Sequence, residues 1–187
     1  MSDKLSFAVH STNWQRVDHP VDVEIDPTQT GLSSSATKVI EVDEQGNICD
    51  EAVPFQWEEK ILTIVMTGQT RANTQRFYEL LAADSPPPLD PLVKVTDGIV
   101  HQEQESYKIE TPAATYLYHK LGAGFASMFD PDGNDWLSYR PFGGSDGKYR
   151  GIPNLAHPEN HFHPGGTGCT SRIVSSGPLK IKIASES

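Results

Sequence analysis

The chain has 187 residues, with 15 Lys and Arg against 25 Asp and Glu, a net charge of -10 and 36% hydrophobic residues. Its 15 Gly and 14 Pro interrupt it too often for a bundle of long helices. Its longest apolar runs, such as Ile61 to Met66, fall far short of the roughly 20 residues of a membrane span. An acidic chain is also a poor general binder of phosphate backbones, so no nucleic-acid and no membrane partner is expected.

The charge is uneven along the chain. Residues 1–60 carry 12 acidic and 4 basic side chains, residues 61–147 carry 11 and 6, and residues 148–187 carry 2 and 5. The C-terminal forty residues are therefore the part suited to an anion. Met1 to His10 holds one Lys and no sustained apolar run, which is not the pattern of a secretory signal, so the chain as written is expected to stay in the cytoplasm. Cys49 and Cys169 lie far apart, neither in a CxxC pair, and are expected to be idle thiols rather than a disulfide.

Alternation of apolar and polar residues begins at Val21-Asp22-Val23-Glu24-Ile25-Asp26, with three β-branched residues on one face and three carboxylates on the other. That pattern predicts a half-buried antiparallel strand. Further strands are expected at Lys38 to Val42, at Val53 to Trp57 and at Ile61 to Thr67. Asp43-Glu44-Gln45-Gly46-Asn47 and Glu58-Glu59-Lys60 supply turns between them. Arg71 to Ala83 fits either a helix, through Phe77, Leu80 and Leu81, or a last strand, and the strand is preferred. Residues 1–83 thus read as a small Ig-like sandwich, and residues 84–91, with Pro86-Pro87-Pro88, as a linker without ladder donors.

Residues 92–187 read as a second β unit. Strands are expected at Leu92 to Val95, Tyr107 to Glu110, Thr115 to His119, Gly124 to Phe129 and Trp136 to Arg140, then near Arg172 to Val174 and Leu179 to Ile183. Pro141 to Thr170, rich in Gly, Pro and His, is expected to be one long irregular loop, the kind of segment that carries function on a β scaffold.

Asp130-Pro131-Asp132-Gly133-Asn134-Asp135 invites a calcium reading, but Asp135 stands where an EF-hand needs Gly and Pro141 where it needs Glu. Pro second and Gly fourth suit a tight turn joining two strands instead. Three of the seven histidines, His157, His161 and His163, lie within seven residues. On an extended backbone His161 and His163 face the same way, so a divalent metal site is one reading and plain loop surface the other; no other cofactor is expected. Tyr149 and Arg150 lie between glycines upstream, a phenol and a guanidinium that with His163 would suit proton abstraction beside a sugar carboxylate. Anchoring the loop to a sheet is an equal alternative for both. The aromatic residues between Tyr107 and Phe142 are mostly core candidates, while Trp136 and Tyr139 could form a sugar-stacking platform, with Arg140 and Asn154 as further substrate contacts. There is no P-loop, GxGxxG, GxSxG, HExxH or CxxC motif.

Two blocks look familiar. Arg16 to Asp26, with Val53 to Trp57 and Ile61 to Thr67, resembles the small β-sandwich that precedes the main domain in bacterial polysaccharide-processing proteins. Tyr107 to Pro112, His119 to Phe125 and Asp130 to Tyr139 resemble the opening strands of a galactose-mutarotase-like super-sandwich. The resemblance implies an all-β protein that binds or processes a polysaccharide, with an acidic one expected, as a lyase, a hydrolase or a non-catalytic glycan-binding module. A structural or metal-binding β protein is the remaining alternative. Proteins of this type are usually secreted or periplasmic, and the chain stops where a super-sandwich would still need many strands. An incomplete second unit, or edges paired with another copy in a homo-oligomer, is the expectation that follows.

Overall fold

The computed structural model describes residues 4–26, 31–32, 37–84, 89–137, 155–156, 161–162 and 168–186, with backbone only at 155–156 and 161–162. All the helix-or-strand elements among them are strands, paired antiparallel, so the protein is all-β. No helix among the described residues is long and apolar enough to cross a membrane. The chain divides into two compact units, Met1–Asp90 and Pro91–Ser187.

The first unit holds β1 (Lys4–His10), β2 (Arg16–Glu24), β3 (Thr37–Val42), β4 (Ile48–Asp50), β5 (Phe55–Glu58), β6 (Ile61–Thr70) and β7 (Gln75–Ala82). They form a four-stranded sheet in the order β1-β7-β3-β4 and a three-stranded sheet in the order β2-β6-β5. Alternation points one side of each sheet inward, and Val39, Val53, Leu62, Ile64, Met66, Tyr78 and Leu80 are buried together there. Full burial of an aliphatic side chain of this size is worth about 1.5–3 kcal/mol, so this cluster is the main reason the two sheets stay paired. Val21 and Val23 of β2 pack against it while Asp22 and Glu24 face out, as the sequence pattern predicts. Pro20 is accommodated because β2 is an edge strand of its sheet.

Two expectations need correction here. The Asp43–Asn47 turn does not lead to the strand at Val53; it closes a hairpin onto the short β4, whose Ile48 pairs with Val42 and whose Asp50 pairs with Glu41. Three residues are too few to show alternation, which is why β4 was invisible. The segment at Arg71 to Ala83 takes the strand form only from Gln75, with Tyr78 and Leu80 fully buried, and β1 precedes the first expected strand.

The second unit holds β8 (Lys94–His101), β9 (Gln104–Glu110), β10 (Thr115–His119), β11 (Gly124–Phe129), the two-residue strands β12 (Leu155–Ala156) and β13 (His161–Phe162), β14 (Thr170–Ser176) and β15 (Ile181–Glu186). Four of them form a meander in the order β11-β10-β9-β8. Tyr107, Ile109 and Tyr118 share one face of it, and Ile173, Ile181 and Ile183 of the β14-β15 hairpin pack on that face. Polar tips at this contact are paired: Tyr107 Oη donates to the Ser171 carbonyl at 3.0 Å, Tyr118 Oη and Ser185 Oγ lie 2.7 Å apart, and Ser171 Oγ donates to the Lys120 carbonyl at 2.6 Å. Cys49 is exposed and Cys169 buried, and the two form no disulfide with each other.

The strand expected at Trp136 to Arg140 is not formed at its described end. Asp135 makes a single bridge to Phe129, and the backbone then bends at Trp136 and Leu137. The long loop expected from Pro141 contains the short ladder in which Leu155 pairs with Phe162 and Ala156 with His161, and Thr170 already belongs to β14.

Candidate functional site

The turn after β11 is built by its sequence. The Gly133 N–H donates to the Asp130 carbonyl at 3.0 Å and the Asp130 N–H to the Asn134 carbonyl at 3.1 Å. Gly133 has φ of +86°, the left-handed conformation that glycine adopts without a Cβ penalty, and Pro131 supplies the fixed φ of the preceding turn position. Asp130 then saturates its carboxylate. Its Oδ1 accepts from the N–H groups of Asp132 and Asn134 at 3.0 and 2.9 Å, and its Oδ2 accepts from Asn134 Nδ2 and from the Trp136 indole Nε1, both at 2.9 Å.

That last bond fixes Trp136. The indole is 66% exposed, yet its N–H is tied to the turn and its backbone N–H donates to the Met128 carbonyl at 2.9 Å. Asp135 holds the bend, its Oδ1 accepting from the N–H groups of Met128 and Leu137 at 3.1 and 3.0 Å. A large apolar ring is thereby presented to solvent in a restricted orientation, against the carboxylate of Asp130. Hydrogen bonds from the Asn134 side chain, then from the Trp136 indole, hold the Asp130 carboxyl down at about 2, so it is ionised at any physiological pH.

A second polar feature lies on the face of the four-stranded sheet opposite Tyr107 and Tyr118. Register sets His119 against Ser106, and Ser106 against Ile99, so alternation brings His119 and His101 to one side of the sheet. Ser106 on the strand between them is fully buried and small, its hydroxyl donating to the Gln104 carbonyl at 3.0 Å. The two imidazoles meet there, His101 Nδ1 lying 3.1 Å from His119 Nε2 with ring centroids 5.3 Å apart. Burial pushes the His119 imidazole down to about 4, helped by its proximity to His101, while a hydrogen bond with the His101 backbone acts against this. Burial also lowers His101, partly offset by the Asp135 carboxylate. Both rings are thus neutral near pH 7.

Of the residues singled out from the sequence, Trp136 is the one whose side chain has a described setting. Tyr139, Arg140, Tyr149, Arg150, Asn154, His157 and His163 lie outside the described residues. His161 contributes its backbone to β13. Among the described residues no group of three or more His, Cys, Asp or Glu comes together in a way that could hold a metal ion. Sequence reasoning missed the partnership of Asp130 with Trp136 and the His101–His119 pair. An Asp opening a turn six residues before a Trp was the only available hint of the first; the pair depends on cross-strand register.

No family model matches the chain, and neither does any curated protein or solved structure.

Proposed function

We propose that this protein is a glycan-binding β protein in which the second unit stacks a sugar ring on Trp136. The observation that carries the reading is the indole of Trp136, two-thirds exposed and yet pinned through its N–H to Asp130. An exposed indole left free would lose rotamer freedom on contact with a ligand; a pinned one has already lost much of it, so more of the contact energy appears as affinity. Because the N–H is occupied, the ring offers its apolar face, which suits the C–H face of a pyranose.

The rim chemistry narrows the ligand. The Asp130 carboxylate lies against the indole N–H with all four of its acceptor positions taken, so its charge repels a uronate or sulfate brought onto the ring. A neutral, hydroxyl-rich polysaccharide therefore suits this face better than the acidic one the sequence resemblance implies. Turnover by Tyr149, Arg150 and His163 would add to this binding without being required for it.

Affinity electrophoresis of the full chain against neutral glucans and xylans and against uronate polymers tests the reading. Retardation by a neutral polymer that weakens at least tenfold in Trp136→Ala, a loss of about 1.4 kcal/mol, is the expected result. Retardation of Trp136→Ala equal to that of the native protein would overturn it. New reducing ends in the same samples would mark an enzyme.

A further inference from the structure

The stacking site makes no use of His101 and His119. We propose that His101 Nδ1 and His119 Nε2 are the two protein ligands of a site for a borderline divalent ion of the Zn²⁺, Ni²⁺ or Cu²⁺ class. The separation of the two nitrogens carries the argument. Imidazole nitrogens bound to zinc at about 2.0–2.1 Å in tetrahedral geometry lie roughly 3.4 Å apart, and square-planar cis ligands lie nearer 2.9 Å. The observed 3.1 Å falls between these values, so the spacing suits a metal once each ring tilts to turn its nitrogen from its partner toward a shared ion.

The scaffold favours the same conclusion. The two rings come from β8 and β10, anchored by the ladders to β9, and they meet over the small Ser106. Both imidazoles are in the neutral form that a metal requires, and two nitrogens select imidazole-preferring ions over hard cations such as Ca²⁺ or Mg²⁺. His119 is 2% exposed, whereas His101 is only partly buried and is the more accessible of the two rings. The Asp135 carboxylate, which favours positive charge at His101, stabilises the incoming cation as well. In the metal-free pair one ring donates N–H to the other. Metal entry removes that proton from the shared side, and the donor ring takes one up at its other nitrogen, so the change is one of tautomer with no net proton released.

Titration calorimetry with Zn²⁺ and with Ni²⁺ tests the site, in a full-length background in which His157, His161 and His163 are replaced by Ala. The expected result is one ion bound per chain in that background, with affinity falling at least tenfold in His101→Ala and in His119→Gln. Because His119 is buried, circular dichroism must show that its variant folds; the partly exposed His101 supplies the independent variant. Absence of binding in the triple background, or affinity unchanged by His101→Ala, would overturn the assignment.

Discussion

The protein makes the same hairpin turn in both of its units and uses it differently. Asp43-Glu44-Gln45-Gly46-Asn47 and Asp130-Pro131-Asp132-Gly133-Asn134 share Asp, Gly and Asn at matching positions, and their glycines have φ of +83° and +86°. In the first, Asp43 Oδ1 accepts from the N–H groups of Gln45 and Asn47, and Oδ2 accepts from Asn47 Nδ2, as Asp130 does from its counterparts. Six residues after the Asp the two diverge. Cys49 continues into the ladder of β4, whereas the chain at Trp136 has left the ladder after one bridge and folds its indole back onto the turn. The turn is thus a piece of fold in either unit, and an exposed ring tied back to it arises only where the strand after it stops early.

The units also differ in the polar groups they bury. The first encloses a charged pair, Arg76 with Glu41, and Arg76 extends to the Thr67 carbonyl at 2.7 Å and to Thr70 Oγ1 at 3.1 Å. The second encloses the neutral His101–His119 pair. This contrast predicts the largest of the remaining effects, a selective acid sensitivity of the second unit in metal-free protein. An unfolded chain takes up a proton at His119 near pH 6.5, while the folded one resists until about 4. The contribution is fully present above about 6.5 and is lost as pH falls through that window, by roughly 2–3 kcal/mol at its lower end. Urea midpoints read from amide signals of β9 and β10, with β6 as the internal reference, measure it. His119→Gln should flatten the excess slope of β9 and β10, and an equally steep slope in that variant would refute the account.

A smaller effect separates the structural role of both turns from the binding role proposed for the second. A Cβ at Gly46 or Gly133 meets no atom within 4 Å, so the cost of substitution is backbone strain alone. Gly46→Ala and Gly133→Ala should each destabilise their own unit by about 1 kcal/mol. Glycan binding should fall in Gly133→Ala and stay unchanged in Gly46→Ala. Equal loss of binding in both would show that the second turn has no special part in it.

How far these features were legible in the sequence follows from the range of the interactions. Val21-Asp22-Val23-Glu24 announced its strand because alternation is local, and Asp130 to Asn134 announced a turn because Pro and Gly act on their own backbone. The wrong partner for the Asp43–Asn47 turn arose because β4 is three residues long and carries no pattern of its own. Trp136 was legible as a candidate contact, but its placement was not, since the bend at Trp136 and Leu137 is held by Asp135 side-chain bonds that compete with strand pairing. The His101–His119 pair was not legible at all. It requires knowing that β9 lies between β8 and β10 and that Ser106 falls between the rings, and both are matters of register across 18 residues of chain.

The finest test concerns the single bond by which the two turns differ. Both Asp carboxyls are held below the usual range by their Asn partners, and Asp130 carries the additional contribution of the Trp136 indole. Since a bond to the ionised form opposes protonation, removing it must raise the titration midpoint. Carboxyl carbon chemical shifts followed against pH should therefore place Asp130 near 2 in the native protein, with Asp43 titrating above it. In Trp136→Phe, which keeps an aromatic ring but has no N–H, the Asp130 midpoint should move up toward that of Asp43, while Asp43 stays where it was. The same variant retains a stacking face but frees it to reorient, so its glycan affinity should fall between those of the native protein and Trp136→Ala. An unmoved Asp130 midpoint would mean that the indole is not held by this bond in solution. The stacking surface would then lose the preorganisation that distinguishes Trp136 from an ordinary exposed aromatic residue.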